Sequence, residues 1–152
     1  MRSKPFVPDQ FEVPQRERSD LFIIEPLQER HNKSDYEAWT SSREHIKATP
    51  GFIGDKLWVD EDSSLADNAA SITKHSNDFE GRTEFNYAVI EPGTGEVIGS
   101  VYIRPSDRDG YDADVRSWVR ANRSGMDKPL YDLVTRWLAD AWPFHNPDYT
   151  AR

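Results

Sequence analysis

The chain has 152 residues, a formal net charge of −8 at pH 7 and no cysteine. Such a length suffices for one domain with a hydrophobic core, while the acidic balance argues against a nucleic-acid-binding protein, whose contact surface is basic. Without cysteine no disulfide or thiolate metal site can form, and no apolar run reaches the length of a membrane span, so we expect a cytoplasmic protein that does not enter a membrane.

The N-terminal segment differs in composition from the rest of the chain. Residues 1–20 are expected to form an extended arm, and residues 21–152 a single domain. Three prolines interrupt the arm, and its apolar anchors are Phe6, Phe11 and Val13. The apolar run over residues 21–27 then predicts a first strand.

A first helix is predicted to follow this strand. Either Asn32 or Ser34 caps it, large side chains recur at helical spacing up to Ile46, and Pro50-Gly51 ends it. The segment after this helix combines apolar residues with an acidic patch. These residues are Phe52, Ile53, Leu57 and Trp58, followed by Asp60, Glu61 and Asp62.

The period of the sequence changes from helical to extended near residue 81. Before that point, either Ser63 or Ser64 caps a second helix, which Gly81 ends. After it, residues 85–90 and 97–103 are predicted to pair as a β-hairpin across a Pro-Gly-Thr-Gly connection. Both strands are apolar on both faces, which predicts that helices cover the sheet on both sides.

The last third of the chain predicts a strand, a loop, a helix and a short final strand. These cover residues 112–122, 123–128, 129–142 and 148–152, and the helix is strongly amphipathic. The complete order is β-α-α-β-β-β-α-β. We therefore predict an α/β (α+β) fold with a mixed, mostly antiparallel central sheet and helices on both faces.

The loop at residues 123–128 is the first candidate binding site. A strand that enters a helix through a short glycine-containing loop presents unpaired backbone N–H groups and the positive end of the helix dipole. This arrangement favours phosphate. The loop also carries two cations, Arg123 and Lys128, on either side of Gly125.

The element order and several short motifs resemble the GNAT superfamily of acyl-CoA-dependent N-acetyltransferases, and more narrowly a short bacterial GNAT-like group. The motifs are Asp35-Tyr36-Glu37-Ala38, Ser42-Arg43-Glu44, Phe85-Asn86-Tyr87-Ala88-Val89, Gly99-Ser100-Val101-Tyr102-Ile103, Asp112-Ala113-Asp114-Val115, Trp118-Val119-Arg120, Trp137-Leu138 and Trp142-Pro143-Phe144. The resemblance implies acetyl-CoA as co-substrate, no metal, and direct transfer of an acetyl group to an amine. It also implies a C-terminally truncated fold, since a complete member continues through a further strand, a helix and two more strands.

The resemblance further implies which residues hold the co-substrate. The strand before the last helix would pair with the pantetheine arm, and the following loop would cradle the pyrophosphate. The residues so implied are Val119, Arg120, Ala121, Arg123, Ser124, Gly125 and Lys128. The loop departs from the family pattern, because its glycine lies one position early, Asp127 adds a negative charge, and Pro129 lacks an N–H. A catalytically inactive GNAT-like module, acting through dimerisation or ligand binding, is therefore an open alternative.

Transfer of an acetyl group to an amine requires a base for the ammonium proton and an acid for the departing thiolate. Asp114 and Glu84 are the candidate bases by position, and Tyr149 is the candidate acid. Each also has a structural interpretation, as a solvated carboxylate or a packed aromatic ring. A partner subunit, in a homodimer, would be one way to complete the substrate wall.

The acceptor is expected to be a small-molecule or protein amine. In the superfamily the segment between the first two helices lines the acceptor site, and the acids at residues 60–62 would suit a cationic amine. A loop that packs over the sheet explains the apolar part of this segment equally well.

Overall fold

The computed structural model describes residues 5–54 and 58–152. In this part of the chain the strands are β1 (Glu17–Arg18), β2 (Ile23–Pro26), β3 (Phe85–Ile90), β4 (Val97–Arg104), β5 (Ala113–Val119) and β6 (Pro147–Tyr149). The α-helices are α1 (Asn32–Thr40), α2 (Arg43–Lys47), α3 (Leu65–Glu80) and α4 (Asp127–Ala141). Three 3-10 helices cover Glu29–His31, Trp58–Asp60 and Ala121–Met126. No helix in the described residues combines the length and apolarity needed to cross a membrane.

The six strands form one sheet in the order β1-β2-β3-β4-β5-β6. All neighbours are antiparallel except β5 and β6, which are parallel. The prediction of a mixed, mostly antiparallel sheet with helices on both faces is confirmed. The pairing of β6 with β5 runs from Ala113↔Pro147 to Val115↔Tyr149, so the second half of β5 continues beyond it.

Buried apolar side chains fill both sides of the sheet. One cluster joins α4, through residues such as Leu130 and Trp137, to Val7 of the arm and to one face of the strands. The other joins α1, α2 and α3, through residues such as Trp39 and Ile72, to Trp118 of β5. The apolar pattern on both faces of β3 and β4 is thereby explained, since every residue of β3 is buried.

The arm contributes to the fold over its described residues. Phe6 stacks on Phe85 and Phe144, with ring centroids 5.9 and 5.2 Å apart, and Tyr87 donates its hydroxyl to the Pro14 carbonyl at 2.6 Å. Residues 17 and 18 form β1 and pair with β2. The arm packs against the domain because its apolar side chains are removed from water there.

The predicted single helix before residue 50 is wrong, because the chain breaks it into α1 and α2. Neither Asn32 nor Ser34 caps it, since His31 is the N-cap residue of α1. At the break, Ser42 leaves the helical region with φ −131° and ψ 19°. Its Oγ accepts the N–H of Ala121 at 2.9 Å. This contact ties the α1–α2 junction to the segment that follows β5.

Candidate functional site

A cavity of about 830 Å³ lies between α1 and α3 on one side and β3, β4 and β5 on the other. Small-molecule sites in proteins have volumes of roughly 300–1,000 Å³. The segment after α2 completes the wall with Phe52 and Trp58. Leu57, which the sequence grouped with these two residues, lies outside the described part of the chain.

Aromatic rings form much of the cavity wall. The rings of Trp39 and Trp58 meet edge to face with centroids 5.4 Å apart, and Trp58 lies 6.3 Å from Trp118. The Trp118 indole donates its N–H to the Tyr102 hydroxyl at 2.8 Å, which fixes both rings. Phe52 packs edge-on against Tyr102 at 6.2 Å. These packed rings give one part of the wall fixed π faces.

A buried carboxyl group, that of Asp35, also lines this cavity. Asp35 and Trp39 are four residues apart on α1 and therefore lie on the same, buried helix face. Asn68 of α3 donates its side-chain N–H to Asp35 Oδ2 at 3.1 Å and accepts the indole N–H of Trp39 at 3.0 Å. Burial raises the pKa of Asp35 to about 6, although the hydrogen bond from Asn68 lowers it.

Acidic groups outnumber basic groups around the cavity. Its described lining includes five carboxylates, of Asp35, Glu61, Asp62, Asp67 and Glu84, against two guanidinium groups, of Arg104 and Arg116. Burial lowers the pKa of the lining residue His75, so its imidazole adds no charge at neutral pH.

Within residues 5–54 and 58–152, no three acidic or histidine side chains are grouped so that they could hold a metal ion.

The two candidate bases lie in different places. Glu84 lines the cavity, whereas Asp114 lines a smaller depression of about 280 Å³ together with Arg108 and Asp148. Asp114 forms ion pairs with Arg104 at 3.5 Å and with Arg116 at 3.2 Å. Asp114 is therefore the counter-ion of Arg104 and Arg116. The structure does not bring the carboxylates of Glu84 and Asp114 together in one site.

Tyr149, the candidate acid, lies on β6 beside β5. Its hydroxyl is 2.5 Å from Ser117 Oγ, and its ring packs on Tyr131 with centroids 4.7 Å apart. Burial raises the pKa of Tyr149, so the phenol remains protonated at neutral pH. Tyr149 is not one of the described residues that line the cavity.

The segment predicted as an open loop is wound into 3-10 turns over Ala121–Met126. The N–H of Arg123 donates to the Arg120 carbonyl at 2.9 Å, and the N–H of Asp127 donates to the Ser124 carbonyl. With the Ala121 N–H bound to Ser42, three backbone donors are engaged within the protein. The expectation of unpaired N–H groups in the loop is wrong for Arg123 and Asp127, because 3-10 turns close i→i+3 hydrogen bonds. Ala121, which was predicted to end the strand, has its N–H bound by Ser42 instead.

Gly125 does not adopt a positive φ, and a Cβ atom built at this residue would meet no atom within 4 Å. The predicted strand over residues 112–122 ends at Val119, and α4 begins at Asp127 instead of residue 129. The connection between strand and helix therefore covers residues 120–126 instead of 123–128.

The cations near this segment have acceptors within the protein. Arg123 binds Glu91 with two hydrogen bonds, of 2.7 and 3.0 Å. Arg120 donates to the carbonyls of Val97 and Ser34 at 2.9 and 3.2 Å, and Lys128 pairs with an aspartate one turn along α4 at 2.8 Å. Ser124 stays at the surface, and Val119 is buried in register with Gly99 of β4.

Arg152, which the sequence analysis did not single out, bridges β5 and the start of α4. Its Nε donates to Asp127 Oδ2 at 2.7 Å, and a terminal nitrogen donates to the Ser117 carbonyl at 2.7 Å. The side chain is only 4% exposed. Arg152 thereby neutralises Asp127, whose charge was expected to repel a diphosphate, and occupies the side of β5 that β6 leaves uncovered.

No protein-family model and no curated protein matches the sequence. Solved structures do match the fold. RimJ from Mycobacterium smegmatis in complex with CoA-disulfide superposes with a TM-score of 0.66 at 12% identity, over 86% of this chain and 62% of that one. The ribosomal-protein-S5-alanine acetyltransferase from Vibrio fischeri has a TM-score of 0.65 at 10% identity, over 88% and 72%.

A third similar structure is that of the microcin C7 self-immunity acetyltransferase MccE in complex with acetyl-CoA and AMP. It has a TM-score of 0.64 at 12% identity, over 84% of this chain and 67% of that one. At such identities the likeness concerns the fold. This chain has the GNAT fold, as its sequence motifs predicted.

Proposed function

We propose that this protein is an acyl-CoA-dependent N-acetyltransferase that transfers an acetyl group directly to an amine. The observation that carries the proposal is the position of β5. Its cavity face contributes Trp118 to the 830 Å³ cavity, while its pairing with β6 stops at Val115 and α4 begins just beyond its end. One strand thus separates a cavity for an acceptor from the edge at which the GNAT fold would receive the pantetheine arm.

The proposed co-substrate site comprises the residues that the resemblance implied. The backbone of Val119 and Ala121 would face the pantetheine arm, and the segment containing Ser124 and Gly125 would face the diphosphate. Arg120, Arg123 and Lys128 would supply positive charge to the phosphates. Since Arg123 is paired with Glu91, and Arg152 with Asp127, binding requires these contacts to exchange partners.

In the proposed reaction, a carboxylate first takes one proton from the substrate ammonium group, and the neutral amine nitrogen then attacks the thioester carbonyl carbon. As the C–S bond breaks, the departing thiolate receives a proton from Tyr149, and the second proton lost by the nitrogen restores the phenol. Of the two candidate bases, Glu84 is favoured over Asp114 because it lines the cavity. A phenol whose pKa is raised by burial is protonated at the start of the cycle, as an acid must be.

The test is acetylation of an amine panel, which comprises phenethylamine, spermidine and a peptide with a free N-terminus. We expect release of the CoA thiol together with an acetylated amine detected by mass spectrometry. Tyr149→Phe should lower kcat about a hundredfold at nearly unchanged KM, since it removes a general acid. Tyr131→Phe, which removes the hydroxyl group of the neighbouring ring, is the matched control and should have little effect on kcat. Absence of any acetylated amine at millimolar acetyl-CoA would contradict the proposal.

A second candidate function is a GNAT-fold module that binds a ligand without transferring an acetyl group. The specific observation in its favour is the internal engagement of the diphosphate segment, in which three backbone donors and Arg123 already have partners. Under this hypothesis the cavity binds its ligand and acetyl-CoA does not bind. Sedimentation velocity would show whether such a module also dimerises.

A further inference from the structure

The carboxylate of Asp35 is buried without a cationic partner. Asp35 is 6% exposed, and in residues 5–54 and 58–152 the hydrogen bond from the neutral amide of Asn68 is the one that its carboxylate accepts. Buried carboxylates in proteins are normally paired with a cation or several donors, because desolvation of the charge is costly. The two arginines of the cavity lining both pair with Asp114 instead. The site therefore has an uncompensated negative charge at its base.

The walls around this carboxylate suit an organic cation. Three indole rings, of Trp39, Trp58 and Trp118, line the same cavity. The ring centroids of Trp39 and Trp58 are 5.4 Å apart, and those of Trp58 and Trp118 are 6.3 Å apart. The face of an indole ring attracts a cation electrostatically and also packs against apolar groups. A ligand with an ammonium group and an apolar body would satisfy both properties of the wall.

The entrance to the cavity also favours positively charged ligands. Three acidic residues of the lining, Glu61, Asp62 and Asp67, are exposed. A cleft that carries an excess of one charge raises the local concentration of ligands of opposite charge and repels ligands of like charge. The rim thus selects cations before they reach the buried carboxylate.

We propose that this cavity is a binding site for hydrophobic amines, in which Asp35 receives the ammonium group and Trp39, Trp58 and Trp118 enclose the apolar body. The assignment of this amine as the acetyl acceptor rests on the proposed function, whereas the binding itself does not. Asn68 acts as a positioning residue, because it holds both the carboxylate and the Trp39 indole. The raised pKa of Asp35 agrees with a carboxylate that lacks a cation in the absence of ligand.

The test is calorimetric titration at pH 8 without acetyl-CoA, with phenethylamine, its neutral isostere 2-phenylethanol and the anion phenylacetate as probes. We expect phenethylamine to bind at least tenfold more tightly than 2-phenylethanol, and phenylacetate to give no saturable heat. Asp35→Asn, which keeps an oxygen to accept the Asn68 hydrogen bond, should weaken phenethylamine binding at least tenfold. The same variant should leave 2-phenylethanol unchanged.

Asp140→Asn, which removes an exposed charge on α4 outside the cavity lining, is the matched control and should change the affinity for phenethylamine less than about twofold. Equal affinity for the amine and the alcohol, equal amine affinity in Asp35→Asn and the unchanged protein, or no binding at about 10 mM phenethylamine would each overturn the proposal. Because acetyl-CoA is absent, a failure of acetyl transfer would leave these results unaffected. The two proposals can therefore fail separately.

Discussion

Replacement of Asp35 by asparagine is expected to stabilise the protein at pH 8, by about 3 kcal/mol. The pKa of Asp35 is raised from an ordinary value of 3.8 to about 6, mainly because burial disfavours the charged form. Each pKa unit corresponds to about 1.4 kcal/mol of preference between the two protonation states. The neutral amide avoids this cost and still accepts the hydrogen bond from Asn68.

The expected gain depends on pH with a defined sign. An acid whose folded pKa lies above its unfolded pKa lowers the stability fully above the folded value, here about 6, and no longer lowers it below 3.8. The difference in the free energy of unfolding should therefore fall from about 3 kcal/mol at pH 8 to about half of that at pH 5. Tyr102 interacts electrostatically with Asp35, and its pKa is raised by burial and further by the charge of Asp35, so it stays neutral over this range.

Urea unfolding of both proteins at pH 8 and pH 5 measures this effect. The exposed substitution Asp62→Asn is the control, and it should change stability by less than about 0.5 kcal/mol at either pH. If Asp35→Asn destabilised the protein equally at both pH values, the carboxylate would be a structural hydrogen-bonding group. A group that lowers stability while it lines a cavity is instead typical of a functional site.

The second large effect concerns the ion pair between Arg123 and Glu91. We expect Glu91→Gln to raise the affinity for acetyl-CoA about tenfold, and Arg123→Gln to lower it about tenfold. In the structure Glu91 accepts two hydrogen bonds from the Arg123 guanidinium, and it would therefore compete with a phosphate for that group. The bond from Arg123 also lowers the pKa of Glu91, so the competing carboxylate is fully charged at neutral pH.

Opposite signs from the two halves of one ion pair distinguish a phosphate-binding arginine from a structural one. Calorimetric titration with acetyl-CoA provides the affinities. Asp78→Asn breaks the ion pair between Lys74 and Asp78 on α3 and should leave the affinity unchanged. A fall in affinity in both Glu91→Gln and Arg123→Gln would assign the pair a structural role and contradict its competition with the co-substrate.

Local patterns in the sequence were sufficient for much of the fold. The hairpin of β3 and β4, the capped helix α3 and the amphipathic helix α4 depend on periodicity and on nearby turn residues, and all three are present. The break between α1 and α2 was not predictable, because Ser42 is held by Ala121, 79 residues away. Contacts between distant segments override the local helical pattern at that point.

The candidate site was less predictable for a related reason. The sequence placed Glu84 and Asp114 on comparable strand ends, but only the packing of α1 and α3 decides which carboxylate faces the cavity. Asp35 belonged to a recognised motif, and its spacing to Trp39 on the buried face of α1 was the one available signal. Arg152 gave no signal, since its partners Ser117 and Asp127 lie 35 and 25 residues earlier in the chain.

The proposed function requires that the edge of β5 receives the pantetheine of acetyl-CoA and that the segment before α4 receives its diphosphate. Calorimetric titration of the unsubstituted protein with acetyl-CoA tests this claim. We predict saturable heat for one site per chain, with competition by free CoA. No heat and no thermal shift at millimolar acetyl-CoA, in both the unchanged protein and the Glu91→Gln variant, would contradict the claim.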